Sequence, residues 1–182
     1  RSGPCSAFDS YTFTSCEDED KARFPQLTNG GFVKFVSAPE FDMGADPATA
    51  SFSAMTEDPN GTVATYEVTV VGDFAGAPSE ALAFGSTTTF PFDVSFTTAD
   101  MAELFGVDAS VFVEDDSFEF FGVVTTVDGV VYDGTAPAGS YPDGDVPGNA
   151  GSWNGGQTNG VLTSAAGLLA AFNWEVSFED PN

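Results

Sequence analysis

From residue 32 onward the chain alternates apolar and polar positions with a period of two. The clearest stretch sets Phe90, Phe92, Val94 and Phe96 on one face and Pro91, Asp93 and Ser95 on the other, the pattern of a half-buried strand. The same period runs through Phe172, Trp174, Val176 and Phe178, with Asn173, Glu175, Ser177 and Glu179 opposite, and through Tyr66, Val68 and Val70 against Thr65, Glu67 and Thr69. Further strands are predicted at 32–36, around 51–55, at 118–127 and at 130–133. Asp128-Gly129 joins the last two and suits a tight hairpin turn that needs positive φ.

Two short helical segments interrupt the alternation. Thr97-Thr98-Ala99-Asp100 reads as a capping sequence, placing a hydroxyl and a carboxylate at the positive end of the helix dipole. Met101, Leu104 and Phe105 then fall on one side, and Gly106 stops the helix. The run 163–171 has similar character and leads straight into the Phe172 strand. Each is expected to cap an open end of a β-sandwich, so the predicted fold is all-β, antiparallel and immunoglobulin-like, with one or two short helical turns.

Composition supports strands rather than disorder. Hydrophobic residues make up 42% of the 182 residues, and Phe outnumbers Tyr 19 to 4, a bias suited to a pleated, half-buried surface. A chain of this length can bury a sizeable core as one compact unit or two small ones. The expected organisation is an N-terminal leader or attachment segment at 1–31 and a sandwich domain at 32–182.

Charge narrows the classes of function. The net charge is −24, all four cations (Arg1, Lys21, Arg23 and Lys34) lie at the N-terminal end, and there is no His. Nucleic acid and anionic membrane faces both require clustered Lys and Arg, so neither is an expected partner. Without His, a Ser-His-Asp or Cys-His nucleophile is excluded. No Gly-rich phosphate loop with its Lys follows a strand. A pair of carboxylates could in principle hydrolyse a glycoside, but among 28 acids some pair meets the spacing by accident, and the expectation is a non-enzymatic protein. Surface repulsion of this size is tolerable in salt, where the screening length is about 8 Å, which favours a saline exterior.

Between 134 and 160 the alternation gives way to a long passage rich in Gly, Pro, Asn and Asp. Loops of that length within a compact domain are functional or mobile. Tyr141, Trp153, Asn154 and Gln157 are the candidate ligand-binding residues, because an exposed aromatic among amides can stack on a sugar ring and hydrogen-bond its hydroxyls. The alternative is that Trp153 tucks under the loop as a satellite core residue. Asp143 and Asp145 place two hard oxygen ligands two residues apart, a weak calcium signal without the rest of a twelve-residue ligand pattern. Glu114-Asp115-Asp116 and the run 17–20 are denser, but such runs are usually solvated.

Cys5 and Cys16 are the only cysteines. Outside the cytosol they are expected to pair, closing a loop of about 12 residues and contributing somewhat under ~3 kcal/mol. No apolar run approaches the ~18 residues of a membrane span, and the chain reads as an already processed form.

A family likeness rests on four stretches: Cys16 to Pro25, with its acidic run before Lys21 and Arg23; Asn29-Gly30-Gly31-Phe32-Val33-Lys34-Phe35; Glu57-Asp58-Pro59-Asn60-Gly61; and Phe90 to Met101. Over residues 16–133 the chain loosely resembles cell-surface lipoproteins of Bacteroidetes encoded beside starch-utilisation-type TonB-dependent uptake systems. The resemblance implies an immunoglobulin-like domain outside the outer membrane, in an accessory role such as glycan or peptide capture. In that family a Cys before an acidic run is the lipidated first residue, and Thr14-Ser15-Cys16-Glu17 looks like that junction. Lipidation of Cys16 would require removal of 1–15, which are too polar for an export signal's core. Cys16 is therefore either paired with Cys5 or lipidated. The other expected role is a structural one: a self-assembling filament subunit whose terminal strand, at 11–14 or 172–178, completes the sandwich of a neighbouring copy.

Overall fold

The computed structural model describes residues 31–133 and 169–180. Within them the chain forms β1 (Lys34–Phe35), β2 (Ser51–Phe52), β3 (Met55–Glu57), β4 (Val63–Asp73), β5 (Leu82–Thr87), β6 (Phe92–Asp93), β7 (Phe96–Thr97), α1 (Thr98–Phe105), a 3₁₀ turn (Ala109–Val111), β8 (Ser117–Thr126), β9 (Val131–Asp133) and β10 (Asn173–Ser177). The protein is mostly β and its named strands pair antiparallel. None of the described helices is long and apolar enough to cross a membrane.

The principal sheet has the order β10-β8-β4-β5, and β9 also pairs with β8. Alternation sets its two faces. Tyr66, Val68 and Val70 of β4, Phe118, Phe120 and Val124 of β8, and Trp174 and Val176 of β10 are buried on the inner face. Thr69, Phe121 and Val123 on the opposite face are half-buried, while Glu67, Glu119 and Glu175 are exposed.

Facing this sheet are β1-β3-β6 and β2-β7, which form one interrupted ribbon. Ser51 pairs with Thr97, Phe52 with Phe96, Met55 with Asp93 and Thr56 with Phe92, all in a single register. At the break the Ala54 N–H donates to Ser95 Oγ at 3.0 Å instead of to a carbonyl, while Val94 N donates to Ala54 O at 3.0 Å. The predicted strand through Phe90, Phe92, Val94 and Phe96 is thus split into β6 and β7, yet its in-and-out alternation survives. The strand expected at 51–55 is split likewise, and that expected at 32–36 shrinks to two residues.

Aromatic rings fill the space between the layers. Phe96 lies 5.3 Å from Phe120, and Phe120 stacks on Trp174 at 5.2 Å with the rings 5° apart. Trp174 meets the edge of Phe35 at 5.3 Å. Such pairs add about 0.5–1.5 kcal/mol each beyond area burial.

The predicted helix forms as expected. Thr97 Oγ1 accepts from Asp100 N, the Asp100 carboxylate accepts from Thr97 N at 2.7 Å, and Gly106 closes the helix in the left-handed region. Gly129 at φ 80° makes the turn between β8 and β9. The second predicted helix does not extend through its end. Residues 169–171 are not helical: Leu169 takes φ 52°, Phe35 N donates to Leu169 O at 2.8 Å and Ala171 N to Val33 O at 3.0 Å, so Ala170 bridges Lys34. Pairing with β1 overrides the helical leaning of the small residues there; the rest of that run, 163–168, lies outside the described residues.

Candidate functional site

The residues singled out in the sequence as ligands lie outside the described residues: Tyr141, Trp153, Asn154 and Gln157, the calcium pair Asp143 and Asp145, and the cysteines Cys5 and Cys16. Trp174 is a core residue at 5% exposure and offers no stacking platform.

Several acids are occupied by the backbone. Asp58 Oδ1 accepts from Asn60 N and Gly61 N at 3.0 and 2.9 Å, and its Oδ2 accepts from Val63 N at 2.8 Å, so the Asp58-Pro59-Asn60-Gly61 motif is a turn that launches β4. In the 114–116 run, Asp116 Oδ2 accepts from Val113 N at 2.8 Å and Asp115 takes φ 72°, forming the bend into β8. Asp93 is held below the usual carboxylate range by Ser95, through its hydroxyl and its backbone N–H. Ser110 does the same for Asp108, and Thr97 for Asp100. Among the described residues, no three His, Cys, Asp or Glu side chains converge to hold a metal.

What the described strands do bring together is a polar strip on the outer face of β8 and β10, with an aromatic at one end. Antiparallel register sets Glu119 directly opposite Glu175 and Phe121 directly opposite Asn173. On the far side of β8, Phe121 is opposite Thr69 and Glu119 is opposite Val71. The two carboxylates, which would repel as direct neighbours, each accept a diagonal hydrogen bond: Asn173 Nδ2 donates to Glu119 Oε1 at 3.0 Å, and Ser117 Oγ to Glu175 Oε1 at 2.6 Å. Ser177 Oγ donates to Asp42 Oδ1 at 3.3 Å and extends the strip to the edge. One oxygen of each glutamate is thereby oriented, leaving the other to accept from a ligand.

Phe121 is half-buried beside this strip. The other aromatics of this sheet's strands (Tyr66, Phe84, Phe118, Phe120, Tyr132 and Trp174) pack in or against the core, and an aromatic on a polar sheet face can receive the apolar face of a sugar ring while flanking amides and carboxylates take its hydroxyls. The sequence carried the signal in Phe118-Glu119-Phe120-Phe121, where the last aromatic falls out of phase with the alternation. Asn173 and Glu175 were legible as outward residues of their strand; that they meet Phe121 and Glu119 required the pairing of β10 with β8.

No family model matches the chain, and neither the curated proteins nor the solved structures searched contain a match to it.

Proposed function

We propose that this is a non-enzymatic extracellular surface protein, an immunoglobulin-like sandwich that captures glycan or peptide as an accessory of an outer-membrane uptake complex. The observation that carries the reading is the outer strip of the principal sheet, where Phe121 lies beside the Glu119–Asn173 hydrogen bond and the opposed Glu175. Such a surface can stack, accept hydrogen bonds and orient a polyhydroxylated or amide-rich ligand. Both glutamates are exposed to water, unlike the enclosed carboxyl a glycoside hydrolase uses as its acid. The acidic composition suits a saline exterior, and the likeness to Bacteroidetes surface lipoproteins supports the accessory role.

Affinity electrophoresis and calorimetry against a panel of neutral polysaccharides and extended peptides test this. Phe121→Ala is expected to weaken binding at least tenfold, and Glu119→Gln to weaken it as well, with the unfolding midpoint little changed. Binding that ignores both substitutions would move the site off this face. Failure to bind any member of the panel would remove the capture role.

A further inference from the structure

The two rims of the principal sheet are unequal. Beside β10, residues 41–44 run parallel to the strand: Ser177 N donates to Phe41 O and Met43 N to Ser177 O, both at 3.0 Å. That rim is covered. At the other rim β5 is the last strand, and among the described residues nothing pairs with its outer backbone.

Edge strands are ordinarily blunted by Lys, Pro, a β-bulge, inward charges or a covering segment. Leu82–Thr87 has no charge and no proline. Its one irregularity is a register shift, Val68 facing Gly85 and Thr69 facing Ala83, which leaves Phe84 as an extra residue. Along this rim runs a half-buried apolar strip of Leu82, Phe84, Phe90 and Phe92, packed against the core on one side. Gly85 belongs to it because a Cβ there would stand 3.1 Å from Phe92 Cζ. The charges nearby in β4, β6 and the turn before β5 are of one sign: Glu67, Asp73, Glu80 and Asp93 are all exposed. Lys34, the one described cation, is 2.8 Å from Glu57 in the β1–β3 pair.

We propose that the β5 edge is a docking site for an extended polypeptide strand bearing Lys or Arg, supplied by a partner protein. Strand addition satisfies the open N–H and C=O groups, alternate side chains of the incoming strand meet the apolar strip, and the carboxylates select for positive charge. A second copy of this chain fits less well, since it sets one body of charge −24 against another. The site is distinct from the outer face of β8 and β10 and stands or falls separately.

Hydrogen exchange on the full-length protein tests the proposal, using a synthetic eight-residue peptide of alternating Val and Thr with terminal lysines, and its glutamate counterpart. The lysine peptide is expected to slow the outward amides of β5 at least tenfold, saturably and less effectively as salt is raised; the glutamate peptide is not. Ala83 and Ser86 are exposed, so substitution there leaves the core intact, as the unfolding midpoint will verify. Ala83→Lys with Ser86→Lys should weaken the lysine peptide at least tenfold, and Ala83→Glu should strengthen it. Equal action by the two peptides, or protection confined to other strands, would overturn the proposal. So would outward β5 amides that are already slow without peptide: in a monomer the chain covers its own edge, and in a dimer a second copy does.

Discussion

Tyr66 donates its phenol hydrogen to the carbonyl oxygen of Ala171 at 2.5 Å, inside the core and across 105 residues of sequence. Gly122 makes room for the contact, because a Cβ at that position would stand 2.8 Å from both the Ala171 oxygen and the Tyr66 ring. Gly122 N donates to Phe172 O at 2.7 Å, so β4, β8 and the segment entering β10 are tied at one point. Residues 169–171 also pair with β1, so the same segment joins the principal sheet to the facing ribbon.

Tyr66→Phe leaves the buried Ala171 carbonyl without that donor and is expected to cost about 1–3 kcal/mol. Gly122→Ala forces an extra carbon against backbone and ring and is expected to cost about 1–3 kcal/mol by overpacking. Denaturant unfolding measures both, and a change below about 0.5 kcal/mol in each would show that the contact is not a structural tie.

Burial raises the Tyr66 pKa above its ordinary value of 10.0. A group whose pKa is raised on folding gives stability that is fully present below the unfolded value and is lost as pH rises beyond it. Stability is therefore expected to fall from about pH 10 upward. In Tyr66→Phe that decline should be shallower by about one proton per molecule.

At acid pH the sign reverses. Asp100 is lowered by the Thr97 hydroxyl and backbone N–H, and Asp93 by Ser95, so their contribution is present above the ordinary value of 3.8 and is lost as pH falls below it. Asp100→Asn should flatten the stability profile below about pH 4. Thr97→Ala, which removes the cap acceptor, should cost about 1 kcal/mol at neutral pH. A profile identical in Asp100→Asn and the parent would show that the capping box contributes nothing to acid sensitivity.

With a net charge of −24 and a single described cation, the folded body repels itself. Raising NaCl from about 0.01 to 0.5 M shortens the screening length from about 30 Å to less than 8 Å and is expected to raise the thermal midpoint by several degrees. A midpoint that is flat or falls with salt would mean that the carboxylates are spaced widely enough for repulsion not to matter.

Trypsin provides a simple reporter. No Lys or Arg follows Lys34, which lies in β1 with its ammonium 2.8 Å from Glu57 and with Phe35 buried beside it. Cleavage between Lys34 and Phe35 is expected to be slow in the native protein and to accelerate with urea in step with unfolding. Rapid cleavage there under native conditions would show that β1 opens locally.

Much of this architecture is written in the sequence by itself. The alternation in 66–70 and 172–178 determines which side chains face inward, because a strand's side-chain period of two holds whatever its partner is. Thr97, Asp100 and Gly106 determine where α1 begins and ends, and Asp128-Gly129 the hairpin, since these act through their own backbone neighbours. Only the tertiary structure decided what depends on distant partners. Leu82–Thr87 was not legible as a strand because the extra residue at Phe84 breaks its phase, and only pairing with β4 restores it. The run at 90–96 reads as one strand, yet the Ser95 hydroxyl captures the Ala54 N–H and divides it. Residues 169–171 lean helical on composition, but the open edge of β1 draws them into backbone pairing through Ala170. The candidate site follows the same division: sequence sets Asn173, Glu175 and Glu119 on polar faces and leaves Phe121 out of phase, while the register between β8 and β10 makes them neighbours.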